Sequence, residues 1–346
     1  MSININNIYC SQWLVNKELK DFCNENKNEN FYLNPHDILH IEDTINYKAL
    51  QNNNFEIYNK YISNTNQKEH GENIFKTLLN NFDVQKMEPI LIEYSMDIDK
   101  YIVRDGLHRL AILVYKDIYK KKIPLKHLNI LYKNDVIQEI KQKLIFTTNM
   151  VFNNGWHNNT TFGYHSFNLY NININGQRNP SKRLQKIKSK VDFTDKFVLD
   201  FGCNSGGMLL HLPEIKKGIG YDFNPNCIKV ANYINNILKF NNNLSFREKD
   251  LNEFNFNEIK DEKVDIIFLL ALGSWIKNWE ELYRNAVYKS DIIIYETNND
   301  EEAKPQLRLF KELKCDLSII SFASTDDITN NHKRKTYLIK CTNNLK

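Results

Sequence analysis

The chain has 346 residues, 42% of them hydrophobic and 25% charged, which suits a folded globular protein and is enough for two domains with separate cores. Its formal net charge of +4, from 46 Lys and Arg against 42 Asp and Glu, is too slight to point by itself to nucleic acid or an anionic membrane. Six scattered cysteines (Cys10, Cys23, Cys203, Cys227, Cys315, Cys341) form no CxxC pair, which argues for free thiols in a reducing compartment and against a zinc site or disulfide framework.

The first residues, MSININNIYCSQW, lack the basic start and apolar stretch of a secretory signal. The longest strongly apolar run, Ile266 to Ile276, is interrupted by Gly273 and Ser274 and falls short of the roughly 20 residues that cross a bilayer. The expected location is the cytoplasm, with no membrane partner.

From Phe31 to about Ile130 helical and strand-like segments mix. Phe31-Tyr32-Leu33 reads as a strand and Ile74 to Phe82 as a helix. Pro89 to Tyr94 and Tyr101 to Val103 are strands about a turn at Asp97-Ile98-Asp99. After Gly106 the apolar positions Leu107, Leu110, Ala111, Val114 and Tyr115 recur at helical spacing. The expected domain is α+β and spans 1–149.

Residues 150–195 form a bridge. It holds an aromatic, glycine-punctuated stretch (Trp156, His157, Phe162, Gly163, Tyr164, His165, Phe167), then Asn175-Gly176, then a basic run with Lys182, Arg183, Lys186, Lys188 and Lys190. That run reads either as an RNA contact or as the wet face of a helix, and the small net charge favours the wet face. From Phe197 the rhythm is strand, loop, helix: Phe197–Phe201, Gly218–Tyr221, Ser245–Glu248, Val264–Leu270 and Asp291–Tyr295. Two late strands follow at Leu317–Phe322 and Thr336–Lys340, completing the far edge as a hairpin. Five strands with helix-length connections predict an α/β domain, an open and mainly parallel sheet over 196–346.

The strand ending at Asp200 runs into Gly202-Cys203-Asn204-Ser205-Gly206-Gly207, where small residues let backbone approach a ligand. Asp222 follows Asp200 by 22 positions, the separation at which an acid grips ribose hydroxyls in nucleotide-binding folds, and Asp250-Leu251 closes the next strand. Together these motifs resemble the class I S-adenosylmethionine-dependent methyltransferases over roughly 195–346. The resemblance implies a Rossmann-like sheet with S-adenosylmethionine as cofactor and S-adenosylhomocysteine as product. By the same resemblance Asp200, Gly202 and Gly206 surround the methionine part, Asp222 binds the ribose, and Asp250 with Leu251 frames the adenine, with Cys203, Asn204, Phe223 and Leu270 counted among the cofactor-binding residues. The histidines that many relatives carry after strand four are missing here. Gly273-Ser274-Trp275-Ile276-Lys277-Asn278-Trp279 stands there instead, with Trp275 as a candidate wall of the acceptor pocket.

Two residues are candidate catalytic bases: Glu296, which ends strand five, and His165, whose imidazole titrates near neutral pH. The stretch from Trp156 to Arg178 loosely resembles the element preceding the cofactor loop in wobble-uridine carboxymethyltransferases. That resemblance implies that Tyr164, His165 and Arg178 line the acceptor site.

Upstream, Pro89 to Ala111 with its Asp105-Gly106-Leu107-His108-Arg109 turn resembles the ParB/sulfiredoxin superfamily over roughly 31–130. The resemblance implies a smaller α+β domain in which Asp105, Gly106, His108 and Arg109 bind phosphate, as a helix N-terminus with Arg and His nearby is equipped to do. Alternatively, Arg109 pairs with an acid of its own domain. A phosphate-binding element joined to a methyltransferase points to a small acceptor such as a nucleotide-linked sugar of glycan biosynthesis, O-methylated on a hydroxyl. RNA methylation is one alternative and a methyltransferase with a separate nucleotide-sensing or kinase-like N-terminal domain is another; no metal is expected, and the oligomeric state is open, a dimer being one option.

Overall fold

The structure, a computed structural model, describes residues 2–13, 36–65, 71–148, 162–239, 243–259, 263–322 and 334–341. Its contacts divide the chain into two compact units, Met1–Lys133 and Asn134–Lys346. The strand expected at Phe31-Tyr32-Leu33, with Trp156, His157 and Cys23, lies outside the described residues.

In the first unit the strands are β1 (Ser2–Asn4), β2 (Ile8–Trp13), β3 (His36–His40), β4 (Ile90–Ser95), β5 (Lys100–Asp105), β6 (Lys122–Pro124) and β7 (Leu128–Tyr132). The helices are α1 (Ile45–Gln51), α2 (Glu56–Asn64), α3 (Glu72–Asn80) and α4 (Leu107–Tyr115). Five strands make a mixed sheet in the order β3-β2-β5-β4-β7, and β1 pairs with β6. The α+β expectation holds. The β4–β5 hairpin turns at Met96–Asp99, with Asp99 in left-handed backbone. Ile90, Ile92 and Tyr101 of that hairpin are buried with Leu110, Ala111 and Ile112 of α4. This is the alternation of a half-buried strand against the stripe of an amphipathic helix.

The second unit opens with α5 (Asn134–Thr148), which packs against the helix that follows the second strand of the large sheet. The boundary expected at 149/150 therefore falls at 133/134, because the buried face of α5 (Val136, Ile140, Leu144) belongs to the second core. A small hairpin follows, β8 (Phe167–Leu169) and β9 (Ile172–Ile174), whose two turn residues Tyr170 and Asn171 both have positive φ. Then α6 (Pro180–Lys188) starts on Asn179, whose side chain caps the Lys182 N–H, with Pro180 at the first helical position.

The large sheet comprises β10 (Phe197–Phe201), β11 (Lys217–Asp222), β12 (Leu244–Glu248), β13 (Val264–Leu270), β14 (Ser290–Glu296), β15 (Asp316–Ser321) and β16 (Thr336–Lys340). Between the strands run α7 (Gly207–Leu210), α8 (Pro225–Leu238), α9 (Trp279–Lys289) and α10 (Asp300–Glu312). The order is β12-β11-β10-β13-β14-β16-β15. The first five strands are parallel as expected, and β16 is antiparallel to both its neighbours. The late hairpin thus exists, but its second strand lies inside and its first takes the edge. Burial explains the inversion: Leu338 and Ile339 of β16 are covered, whereas Asp316 and Ser318 put polar groups on β15, as an edge requires. Strand β10 is buried along its whole length, so its carboxylate, Asp200, enters the interior with it.

Candidate functional site

Strand order reverses beside β10, and sheets of this kind take ligands at such a point, outside the carboxyl ends of the parallel strands. The loop after β10 is shaped for it. Gly202, Asn204 and Gly206 all have positive φ, and the N–H groups of Gly202 and Cys203 donate to the Tyr221 carbonyl at 2.8 and 2.9 Å. A Cβ on Gly206 would stand 2.7 Å from the Phe246 ring, so only glycine fits both the backbone and the space.

Asp222 ties this loop to the one after β11. One carboxylate oxygen accepts the Asn204 N–H at 2.8 Å, and the other accepts the Asn224 N–H at 2.9 Å. Burial pushes its carboxyl above the usual range against those two hydrogen bonds. Beside it Asp200 is 2% exposed, and its Oδ2 has no hydrogen-bond partner. Its carboxyl is pushed up to about 8, first by burial and further by Asp222, while Arg183 pulls the other way. A buried carboxyl with an orphan oxygen fits a cation arriving with the ligand, and the ammonium of a methionine moiety supplies one. Ser205 adds a second buried, unpartnered oxygen in the same loop.

Asp250, expected beside the adenine, is exposed and accepts the N–H of Asn252 at 2.9 Å, which holds its carboxyl below the usual range. The Asn252 side chain accepts the Lys277 N–H at 2.7 Å, so the loops after β12 and β13 are joined. Leu251 packs on the core, Leu270 is half-buried at the end of β13, and Phe223 stands 63% exposed next to Asp222. Trp275 is 62% exposed, whereas Trp279 packs edge-on against Tyr283. The two tryptophans thus divide between the open face and the core.

The aromatic segment lies against the loop. His165 is 3% exposed and its Nδ1 accepts the Gly207 N–H at 3.3 Å; a Cβ on Gly207 would meet the imidazole at 2.5 Å. With its lone pair aimed at Gly207, the ring caps the start of α7 and does not present that nitrogen to an acceptor. Tyr164 and Arg178 hold the segment together through the Arg178 N–H on the Tyr164 carbonyl at 2.7 Å. Nearby, His211 receives the Asn168 N–H on Nε2, so its Nδ1–H donates to the Gly207 carbonyl at 2.6 Å. Burial pushes His211 down to about 4.

Glu296 does not stand as a base. It is 1% exposed, and its Oε1 receives Arg178 at 3.1 Å, Arg183 at 3.2 Å and Arg334 at 3.7 Å. A carboxylate so placed is a counter-ion that joins β14 to the segment before β10. Arg178, expected to meet the acceptor, is likewise buried at 1%. Arg183 was hidden within a basic run. Its only signal is its place on the dry stripe of α6 beside Leu184 and Ile187, both buried, while Lys182 and Lys188 stay exposed and Lys188 pairs with Glu214 at 2.6 Å. The run is therefore split: Lys182 and Lys188 lie on the wet face of the helix, Lys186 is half-buried, Arg183 lies on the buried face, and Lys190 lies past the helix end. Arg334 carries no pattern at all in the sequence.

In the first unit, Gly106 has φ +90 and caps α4, as the Asp-Gly-Leu-His-Arg spacing predicts. Its missing side chain lets Arg109 fold back over the turn, where the guanidinium meets Asp105 at 2.6 Å and Glu88 at 3.2 Å. His108 turns inward, its Nε2 2.6 Å from the Tyr58 hydroxyl and its ring edge-on to Phe75. The charge expected to hold phosphate is matched by two acids of its own unit. Among the described residues no group of three or more His, Cys, Asp or Glu is gathered for a metal, and no helix is long and apolar enough to cross a membrane.

Residues 192–326 match the family model described as a methyltransferase domain. Over 125 residues the chain is 30% identical to the malonyl-(acyl-carrier protein) O-methyltransferase of Calditerrivibrio nitroreducens, covering 35% of this chain; the chain spans 45% of the length of that relative. Among solved structures it is similar to an S-adenosylmethionine-dependent methyltransferase from Aquifex aeolicus, at 13% identity and a TM-score of 0.37 over 48% of this chain and 91% of that one. It is also similar to the N-terminal domain of EvdMO1 with S-adenosylhomocysteine bound, at 12% identity and a TM-score of 0.42 over 59% of this chain and 97% of that one. Residues 192–326 of the second unit therefore carry a methyltransferase domain.

Proposed function

We propose that this protein is an S-adenosylmethionine-dependent O-methyltransferase whose acceptor is a small anionic molecule. The observation that carries the donor half is the orphan oxygen of Asp200 beside the doubly bonded carboxylate of Asp222. In this reading Asp200 takes the methionine ammonium, Asp222 the ribose hydroxyls, and Phe223, Asp250 and Leu251 border the adenine. When bound, the donor would supply an electrophilic methyl group on a sulfonium, the acceptor oxygen bonding to the methyl carbon in line as the C–S bond breaks and S-adenosylhomocysteine leaves as the thioether. Holding the two partners in that line is the main contribution asked of the protein.

An ionised carboxylate suits the site better than a sugar hydroxyl. A hydroxyl has to lose a proton during transfer, and the two bases expected for it are engaged: Glu296 by three guanidiniums, His165 Nδ1 by the Gly207 N–H. A carboxylate needs no base. The relative from Calditerrivibrio is described as an O-methyltransferase of a malonyl group, which supports the same acceptor chemistry. A nucleotide-linked or phosphorylated sugar, the acceptor class expected from the sequence, shares the anionic character, and the first unit's turn adds less to its case now that Arg109 is neutralised internally.

The test begins with calorimetric titration of the full chain with S-adenosylhomocysteine, where micromolar binding is expected and its absence overturns the proposal. Transfer of a labelled methyl group is then measured onto malonyl thioesters, free dicarboxylates, nucleotide sugars and bulk tRNA. Label on a carboxylate is the expected outcome. Label on tRNA, with binding that weakens steeply as salt rises, points to RNA instead.

A further inference from the structure

Among the described residues one guanidinium at the carboxyl edge of the sheet is held far more loosely than its neighbours. The Arg334 side chain is 14% exposed, yet its one ion pair is at 3.7 Å, to a Glu296 oxygen already taken at 3.1 and 3.2 Å by Arg178 and Arg183. Its buried Nε has no hydrogen-bond partner. Arg is always charged and presents five donors in a fixed plane, so a mostly covered guanidinium with one long contact has been taken out of water without compensation. It is nonetheless pinned in place. The next residue's carbonyl accepts the Thr297 N–H at 3.1 Å, and Lys335 pairs with Asp300 at 2.8 Å, so the neighbouring cation is already matched.

Position decides which anion it awaits. Arg334 precedes β16, and its guanidinium reaches the carboxyl end of β14, two strands from β10. Strands stand about 4.8 Å apart, so the backbone of β14 runs about 10 Å from that of β10. An acceptor whose nucleophile stands at the methyl group over the β10 loop would reach toward β14 across a span of that order, and the cofactor affinity measured below separates this role from contact with the donor's own carboxylate.

We propose that Arg334 binds an oxyanion of the acceptor, a carboxylate or phosphate, through the planar fork of its guanidinium, and so selects anionic acceptors. The inference rests on the methyltransferase reading and adds the group that recognises the acceptor.

The test is calorimetric titration of the full chain, saturated with S-adenosylhomocysteine, with malonate and with inorganic phosphate at constant ionic strength. Wild type, Arg334→Gln and Arg334→Lys are compared. Wild type is expected to bind at least one probe, with malonate favoured if the anion is a carboxylate. Arg334→Gln should weaken that binding about tenfold or more, as loss of a charged hydrogen bond does, with S-adenosylhomocysteine affinity unchanged within about twofold. Arg334→Lys keeps the charge without the fork and should fall between; if Arg334→Gln does not fold, weakened binding in Arg334→Lys supports the inference and unchanged binding overturns it. Equal anion affinity in wild type and Arg334→Gln overturns it, as does failure of wild type to bind either probe. A tenfold loss of S-adenosylhomocysteine affinity also overturns it, since the guanidinium then serves the cofactor. Failure of wild type to bind S-adenosylhomocysteine instead removes the methyltransferase reading beneath it.

Discussion

Asp200 and His211 sit on opposite sides of a pH balance. The Asp200 carboxyl at about 8 lies far above its value in an unfolded chain, so between about pH 4 and 8 the folded state keeps a proton that the unfolded state has released. Stability of the ligand-free protein therefore falls as pH rises through that window. His211 has the reverse sign: at about 4 its folded value lies below the unfolded one, and its contribution is lost as pH falls from about 6.5 toward 4. Urea titrations of wild type and Asp200→Asn from pH 5 to 8 should show the decline flattened in the variant; parallel curves would contradict the assignment. A cation at Asp200 reverses its protonation, so S-adenosylhomocysteine binding at pH 7 should release a proton, read from binding enthalpies in buffers of different ionisation heat. Asp200→Asn should abolish the release.

At the scale of elements, the segment before β10 is fastened to the site at two points, and each has its own variant. Glu296 joins β14 to Arg178 and Arg183, both buried. Glu296→Gln leaves guanidiniums in the interior without their counter-ion and should cost about 3–5 kcal/mol of unfolding free energy, read as a lower urea midpoint. A loss under 1 kcal/mol would mean the cluster is wet. Gly207 is the second point. Gly207→Ala drives a methyl group into the His165 ring and should displace the aromatic segment, with S-adenosylhomocysteine affinity down about tenfold although alanine by itself favours the helix by up to about 1 kcal/mol. The glycines and Asp222 were readable because their spacing along the chain is short and stereochemically constrained. The surroundings of Glu296 and His165 were not: Glu296 was picked as a carboxylate at the strand's carboxyl end and His165 as an imidazole in the aromatic segment, and the groups that occupy the Glu296 Oε1 and the His165 Nδ1 come from 118 and 42 residues away.

For the whole molecule, the shift of the boundary from 149/150 to 133/134 makes a direct prediction. A fragment of 134–346 keeps α5 over α8 and should bind S-adenosylhomocysteine within about threefold of the full chain. A fragment of 150–346 loses the cover supplied by Val136, Ile140 and Leu144, leaves apolar surface open, and should aggregate or melt at lower temperature in a thermal scan. Equal behaviour of the two fragments would show that α5 is not part of that core.

Local patterns in the sequence determined the parallel strands β10 to β14, the glycine loop, the acids at the strand ends, the β4–β5 hairpin and the α4 turn. Each is written within a few residues, by alternation, by small residues where φ turns positive, or by a fixed spacing from strand to acid. Of the two readings open for Arg109, the structure chose the internal one, with Asp105 four residues away and Glu88. Tertiary structure alone decided that β16 slips between β14 and β15, that α5 belongs to the second unit, and that Arg178, Arg183 and Arg334 gather on Glu296. The physical reason is common to all three: pairing of strands, faces and charges across long stretches of chain depends on which surfaces are buried together, and no short window of residues records that.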